Sequence, residues 1–553
     1  MSHDAAPSPQ NSDPHLAELL SRIDGIIANE ANDALAASGR STANHTQVAG
    51  EQNAAPGVPP AFQDNPPANQ GNPEGIPLSA SESNTASGAT PSLTQAAPVP
   101  AGDAVGTNPN QLAGGTCDVT QEGPSFGKLT GTRDEPFVPL EPQDLAAAGL
   151  PESMVEELIV RYLAARGEAS GRNIADQVKL PFRLVEPILN RLKYEQLTAY
   201  RGSNSVGDYT HTLTDSGRER ARQFNLRTTY FGSAPVTLEV YNESVGLQSV
   251  EGQYPRQQEL LHAFKDLLID RKMLGKLGPA INSGKGMFLY GFPGNGKTSI
   301  AERVTQAFGK YIWIPRSLVV DGEIMRLYDP LMHELAEEEA NEGWLNDSGI
   351  DQRWVRIKRP TIIAGGELTM EMLEVQKNNV SNVSESPLQM KSNCGVLVID
   401  DFGRQKMRVD ELLNRWIVPL EKRYDFLNMA SGKKTQVPFN QLVIFSTNLQ
   451  PKDLVDDAFL RRIPYKIEVE NPTEGAFRKL FEIMCPIWKI PHDEQAITYL
   501  IEQHYKPTDR PFRNCHPRDI LLQIKNYCLY HDQPLELKRE YIDFAVDNYF
   551  SIM

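Results

Sequence analysis

Gly291-Phe-Pro-Gly-Asn-Gly-Lys-Thr298 follows the apolar run Met287-Phe-Leu-Tyr290 and precedes Ser299 to Phe308, a stretch with helical spacing. Glycines at its first, fourth and sixth positions let the backbone turn tightly. Successive N–H groups can then face an anion at the positive end of the following helix. The spacing matches GxxxxGK[ST], which places Lys297 at the β- and γ-phosphates of a nucleotide and the Thr298 hydroxyl at Mg²⁺. Gly291, Pro293, Gly294, Asn295, Gly296, Lys297, Thr298 and Ser299 are therefore the residues expected to hold ATP. A strand, a glycine loop and a helix in this order predict an α/β fold.

Two further apolar runs lie downstream. Gly395-Val-Leu-Val-Ile399 ends in Asp400-Asp401 and has the form of a Walker B strand. Asp400 is expected to hold the Mg²⁺ ion, directly or through water. Gln441-Leu-Val-Ile-Phe-Ser-Thr-Asn448 is the second run and ends in an amide side chain. Beyond it come Asp456-Asp-Ala-Phe-Leu-Arg-Arg-Ile463 and His516-Pro-Arg-Asp519, the latter opening a helix with Ile520, Leu521, Ile524 and Tyr527 on one face.

These five elements, in this order over about residues 255–553, resemble the AAA+ family of P-loop ATPases. The resemblance implies a parallel αβα sandwich of five strands and a small helical lid, with ATP in the cleft between them. It makes Asp401 the residue that polarises the attacking water, where most members carry Glu. Asn448 resembles sensor 1, Arg461 or Arg462 the finger that reaches a neighbouring subunit's γ-phosphate, and Arg518 the sensor 2 contact. The fingers act between subunits, so a homo-oligomeric ring or arc is implied.

Upstream, residues 151–166 read as an amphipathic helix with Val155, Leu158, Ile159, Tyr162 and Leu163 inward. Ser170 can cap a second helix, and a third opens at Leu180-Pro181, where Pro187 should kink its first half. Leu197–Arg201 and Tyr209–Leu213 flank a Gly/Ser/Asn turn and predict a hairpin. Thr214 starts a helix to about Phe224. Helix, helix, helix, hairpin and helix make a winged-helix arrangement, and the stretch from Tyr209 to Arg222 resembles the wing of bacterial winged-helix regulators. Arg183, Asn190, Lys193, Arg201, Arg218, Arg220 and Arg222 could straddle a DNA duplex. Glu186 on the same face and a wing tip without Lys or Arg point instead to protein docking.

From about Asn29 to Gly127 only Phe62 and Phe126 are aromatic, and small polar residues dominate. Such a segment cannot bury enough apolar area to offset its backbone entropy and is expected to be disordered. An amphipathic helix is expected near 14–28, with Leu16, Leu19, Leu20, Ile23, Ile26 and Ile27 as its stripe. The domains are read as an acidic arm at 1–130, a winged helix at 136–226, a linker at 227–254, the nucleotide-binding domain at 255–470 and the lid at 471–553. Between the glycine loop and Asp400 lies a long segment in which Arg353, Trp354, Arg356, Lys358 and Arg359 could grip a peptide or nucleic-acid strand, or form the charged face of an edge hairpin.

The formal charge of −16 is concentrated in residues 1–130, which hold thirteen acids against three bases. Nonspecific nucleic-acid binding by the whole surface is thus disfavoured. Five cysteines without a CxxC pair suit a reducing, cytoplasmic compartment. No apolar run approaches the roughly 20 residues that cross a bilayer. The reading is of an ATP-hydrolysing machine that remodels or loads a macromolecular client, with a protein client and possible DNA contact through residues 136–226. The alternative is an ATP-dependent switch or DNA-binding regulator with little turnover.

Overall fold

Five short strands form one parallel sheet at the centre of the molecule: β1 (Met287–Tyr290), β2 (Thr361–Ala364), β3 (Val396–Ile399), β4 (Leu442–Thr447) and β5 (Tyr465–Glu468), in the spatial order β2-β3-β4-β1-β5. The computed structural model describes residues 127–130, 135–203, 208–337, 349–429 and 431–551. The acidic arm up to residue 126, with its helix near 14–28, and the wing tip at 204–207 lie outside the described residues, while Gly127–Leu129 pairs antiparallel with Phe137–Pro139.

Parallel strands must be covered on both faces, and near-continuous apolar runs make that possible. The alternation of side chains along each strand sorts two cores. Met287, Leu289, Val396, Val398, Leu442 and Ile444 face one layer of helices, including Arg271–Asn282 and Lys297–Val304. Phe288, Leu397, Ile399, Val443 and Phe445 face the other, where Trp416 of the helix Val409–Lys422 is fully buried. The result is an αβα sandwich. Four helices, Glu474–Ile487, Glu494–Leu500, His516–Tyr530 and Arg539–Phe550, then close around Phe477, Phe481, Tyr505 and Ile524 as a separate lid core.

Ahead of the sandwich, helices Glu152–Arg166, Gly171–Val178 and Phe182–Tyr194 pack with a three-stranded antiparallel sheet and the helix Asp215–Asn225. Ser170 Oγ accepts the Asn173 N–H, the cap expected there, and Thr214 Oγ1 accepts the Gly217 N–H to cap the helix that begins after it. The third helix, Phe182–Tyr194, continues through Pro187 without interruption. A side chain at Gly217 would collide with the Leu197 carbonyl, which explains why this helix can lie so close to the hairpin.

Residues 227–254, read as a linker, are largely folded. Val236–Thr237 joins a five-stranded mixed sheet alongside Ser317–Val320, and Tyr241 and Val245 of the helix Leu238–Leu247 are buried against Leu318 and Val355. The reading of a gripping surface at 353–359 is corrected. Trp354–Lys358 pairs along its length with Tyr311–Pro315 in a two-stranded antiparallel sheet, and Leu335 forms one isolated bridge to Ile357 on its other side. Trp354 and Arg359 are buried, Arg356 pairs with Glu135 at 3.0 Å, and Lys358 pairs with Glu334. Arg353 is only 3% exposed and faces Asp351 at 2.7 Å. Its guanidinium also donates to the Ala148 and Pro235 carbonyls at 2.8 and 3.3 Å, fastening the N-terminal helical unit to the sandwich.

Removing one member of a buried pair strands the other charge at a cost of about 3–5 kcal/mol. Arg353→Ala should lower the denaturant midpoint accordingly, while the apolar double variant Arg353→Met/Asp351→Leu should lose much less. Unfolding followed by circular dichroism in urea decides it, and an unchanged midpoint in Arg353→Ala would remove this pair as a fastening.

Candidate functional site

Residues that follow β1, β3 and β4 meet at the carboxyl ends of three adjacent strands. The parallel register pairs Tyr290 with Thr447, so β1 and β4 end level, and Ile399 with Phe445, so β3 ends two residues sooner on the same side. That edge is where open parallel sheets bind ligands. Gly291 has φ 138°, and a Cβ there would lie 2.5 Å from the Val469 carbonyl oxygen. Only glycine can make that close approach. Gly294 and Gly296 are also left-handed, at 82° and 84°, and Gly296 caps the helix Lys297–Val304.

Lys297 is buried inside the loop. Its ammonium donates to the carbonyls of Gly291 and Phe292, both at 3.0 Å, and to Asn448 Oδ1 at 2.7 Å. Burial lowers its pKa, and the carboxylates of Asp400 and Asp401 oppose that shift. The Asn448 amide in turn donates to Asp401 Oδ1 at 3.2 Å, and Thr298 Oγ1 donates to Asp400 Oδ2 at 2.8 Å. Asp401 holds φ 48°, a left-handed conformation that costs a non-glycine residue about 1–2 kcal/mol. Gln405, which the sequence did not single out, fixes this turn by donating to the Asp400 carbonyl at 2.9 Å and accepting the Gly403 N–H at 2.8 Å.

Beside the loop lies a cleft of about 830 Å³, within the range of about 300–1,000 Å³ usual for small-molecule sites. Gly294, Gly296 and Ser299 form one wall, Met273 and Met484 add apolar surface, and Arg518 stands at the lid side. Thr298 and Asp400 offer two adjacent oxygens, which fits Mg²⁺, an ion that takes one or two protein ligands together with phosphate and water. Among the described residues, no group of three or more His, Cys, Asp or Glu could hold a metal ion without such help. No helix among them is long and apolar enough to cross a membrane.

Other expected residues lie elsewhere or are otherwise engaged. The Asn295 side chain turns away from the loop's interior and bonds Asn471 at 2.8 Å. Arg518 is held by Asp519 at 2.9 Å. Arg461 and Arg462 precede β5, whose Tyr465 is level with Met287 at the start of β1. The length of β1, roughly 13 Å at 3.3 Å per residue, separates them from the glycine loop of their own chain. They line a hollow of about 360 Å³ with Lys285 and Glu421, and Arg462 reaches Glu421 at 3.3 Å. Lys285 carried no sequence signal, being one lysine in a loop. The lid segment Arg513–Cys515 was also missed, although it bonds the glycine loop directly: Cys515 N–H donates to the Gly294 carbonyl at 2.9 Å and Asn514 Nδ2 to that of Asn295 at 3.0 Å.

The cations read as a DNA surface are mostly paired within the N-terminal unit. Arg183 meets Glu141 at 2.6 Å, Arg201 Glu168 at 2.5 Å, Arg218 Asp215 at 2.8 Å and Arg222 Glu219 at 3.0 Å. Arg220 stands 3.6 Å from Glu156, the Lys193 ammonium lies 3.6 Å from the centre of the Tyr200 ring, and Asn190 accepts from the Tyr200 hydroxyl at 3.4 Å.

Residues 473–548, most of the lid, match the family model of a domain of unknown function, DUF8689. No curated protein matches the chain. Among solved structures, NtrX of Brucella abortus is similar at 12% identity and a TM-score of 0.33, over 51% of this chain and 56% of that one. The chain thus spans little more than half the length of NtrX. The Thermotoga maritima RuvB Holliday junction branch migration motor is similar at 12% identity and a TM-score of 0.30, over 52% of this chain and 72% of that one. The complex of the BchI and BchD subunits of magnesium chelatase, based on a cryo-EM reconstruction, contains a chain that is similar at 14% identity and a TM-score of 0.26, over 50% of this chain and 91% of that one. The strand order of the sheet, rather than these likenesses, carries the fold.

Charge-assisted hydrogen bonds contribute about 1.5–3 kcal/mol each, so Lys297→Ala should weaken ATP binding by about 10- to 150-fold or more with the fold intact. Fluorescence titration with a labelled nucleotide checks this, and wild-type affinity in the variant would sink the assignment of the loop.

Proposed function

We propose that this chain is an AAA+ ATPase that hydrolyses ATP and applies the resulting lid movement to a macromolecular client. The observation that carries the reading is the pair of linked contacts Lys297–Asn448–Asp401 and Thr298–Asp400 at one end of the sheet, beside a cleft of nucleotide size. Lys297 stands on carbonyl oxygens that triphosphate oxygens can replace. The N–H groups of the glycine loop and of the helix start take up the phosphate charge. Thr298 and Asp400 would hold Mg²⁺, which when bound would supply neutralisation of phosphate charge. Asp401 accepts a proton from the attacking water, and Asn448, already bonded to Asp401, orients that water.

Arg461 and Arg462 supply guanidinium groups to the γ-phosphate of a second copy, where they stabilise developing charge. Their position at the far end of β1 supports action between subunits over action on their own nucleotide. A homo-oligomer follows from this reading, with a protein client and a cytoplasmic location. Asp401→Asn should keep nucleotide affinity and lower phosphate release at least about tenfold, because an amide accepts no proton. Mixing it with Arg461→Ala/Arg462→Ala subunits should restore part of the activity. Full turnover by Asp401→Asn alone would move the base elsewhere, and negligible turnover by the unaltered chain would favour the switch reading. Absence of recovery in the mixture, with monomers by light scattering in ATP and Mg²⁺, would overturn the trans arrangement.

The N-terminal helical unit serves as a protein-docking module in this reading, since Arg183, Arg201, Arg218, Arg220 and Arg222 already face acids of their own domain. DNA binding through several phosphates would weaken by about 0.9 log unit per contact per decade of salt. The full chain should show no such steep dependence with duplex DNA at low ionic strength, and a steep slope measured by fluorescence anisotropy would return DNA to the module.

A further inference from the structure

Two cations occupy one rim of the glycine loop. Three consecutive carbonyls, those of Gly291, Phe292 and Pro293, form that rim. Lys297 takes the first two, and the third accepts from Arg513 Nη1 at 2.7 Å. Arg513 comes from the lid, 220 residues away in the chain. Its guanidinium centre also lies 5.1 Å from the centre of the Phe292 ring, a cation–π contact with a half-exposed side chain. The stem of the side chain is fixed by its neighbours. Asn514 N–H donates to Asn295 Oδ1 at 3.4 Å, Asn514 Nδ2 to the Asn295 carbonyl at 3.0 Å, and Cys515 N–H to the Gly294 carbonyl at 2.9 Å.

We propose that Arg513, and not Arg518, is the lid cation that contacts the terminal phosphates of a bound nucleoside triphosphate. The proposal rests on the reading of this loop as an ATP site. A carbonyl is a neutral acceptor, and a phosphate oxygen is a charged one that makes a bond roughly twice as strong. Arg513 therefore exchanges the Pro293 carbonyl for phosphate on the same rim where Lys297 exchanges those of Gly291 and Phe292. The Arg513 charge is also felt at Lys297, whose pKa it lowers, whereas Arg518 spends its Nε on Asp519 at 2.9 Å. Triphosphate arriving between Lys297 and Arg513 relieves a repulsion that exists only while the site holds no anion. The lid is tied by this residue to the phosphate end of the ligand, and Arg518 stands on the cleft wall further along.

The test compares affinities of the full chain for a non-hydrolysable ATP analogue and for AMP, which lacks the terminal phosphates. Arg513→Ala should lower the triphosphate-over-AMP preference by about 10- to 100-fold, in line with loss of one charge-assisted bond. Arg513→Lys should retain part of it, because a point charge remains. Arg518→Ala should leave the ratio where it is. A merely structural role in clasping the loop would weaken both ligands alike and leave the ratio intact, and that result overturns the proposal. If the preference survives in Arg513→Ala but is lost in Lys297→Ala, the ATP reading stands and the assignment of Arg513 fails. A wild-type chain with no preference for triphosphate overturns both.

Discussion

Lys297 carries a positive charge into a loop with little access to water, and each of its three N–H donors must then be answered by protein. Two are answered by carbonyls that only a glycine-rich turn can point inward, the third by Asn448 at the end of the neighbouring strand. That last bond fixes which strands must be adjacent. β4 has to lie beside β1, and β3 beyond it, for Asn448 to reach Lys297 on one side and Asp401 on the other. The strained turn at Asp401 and the Gln405 contacts beneath it are held by the same requirement.

Much of this was legible because it is local. GxxxxGK[ST] is a contiguous pattern, and apolar runs such as Val396–Ile399 and Leu442–Thr447 name buried parallel strands without help from the rest of the chain. Ser170 announced its cap for the same reason, since it bonds an N–H three residues on. What stayed hidden depends on distant partners. Arg353 reads as a surface cation until Asp351 and the carbonyls of Ala148 and Pro235 surround it. Leu238–Leu247 mixes polar and apolar residues without a clear stripe, and its buried side chains are defined by strands that come much later in the chain. Arg513 had no motif of its own, whereas Arg518 stood in a recognisable His-Pro-Arg-Asp setting.

The N-terminal helical unit and the sandwich are joined by more than covalent chain. Val236–Thr237 continues a sheet whose other strands come from the segment between the glycine loop and β3, and Tyr230 bonds Ser317 across the seam at 3.0 Å. The lid, by contrast, meets the glycine loop through a few hydrogen bonds around Arg513–Cys515 and encloses its own core. A body in which one appendage shares a sheet with the sandwich and the other touches it through a handful of polar contacts bends most readily at the second joint.

Placing Arg461 and Arg462 at the amino ends of parallel strands, and the glycine loop at the carboxyl ends, also gives the molecule a polarity. A contact that brings these arginines to another copy's loop joins two unlike surfaces. A two-fold axis pairs a surface with itself, so such a contact is heterologous and leaves one loop and one arginine-bearing surface uncovered at the two ends of any open chain of copies. Only closure into a circle fills every site. An open arc keeps one end whose arginine surface has no loop to serve and another that holds nucleotide beside no neighbour.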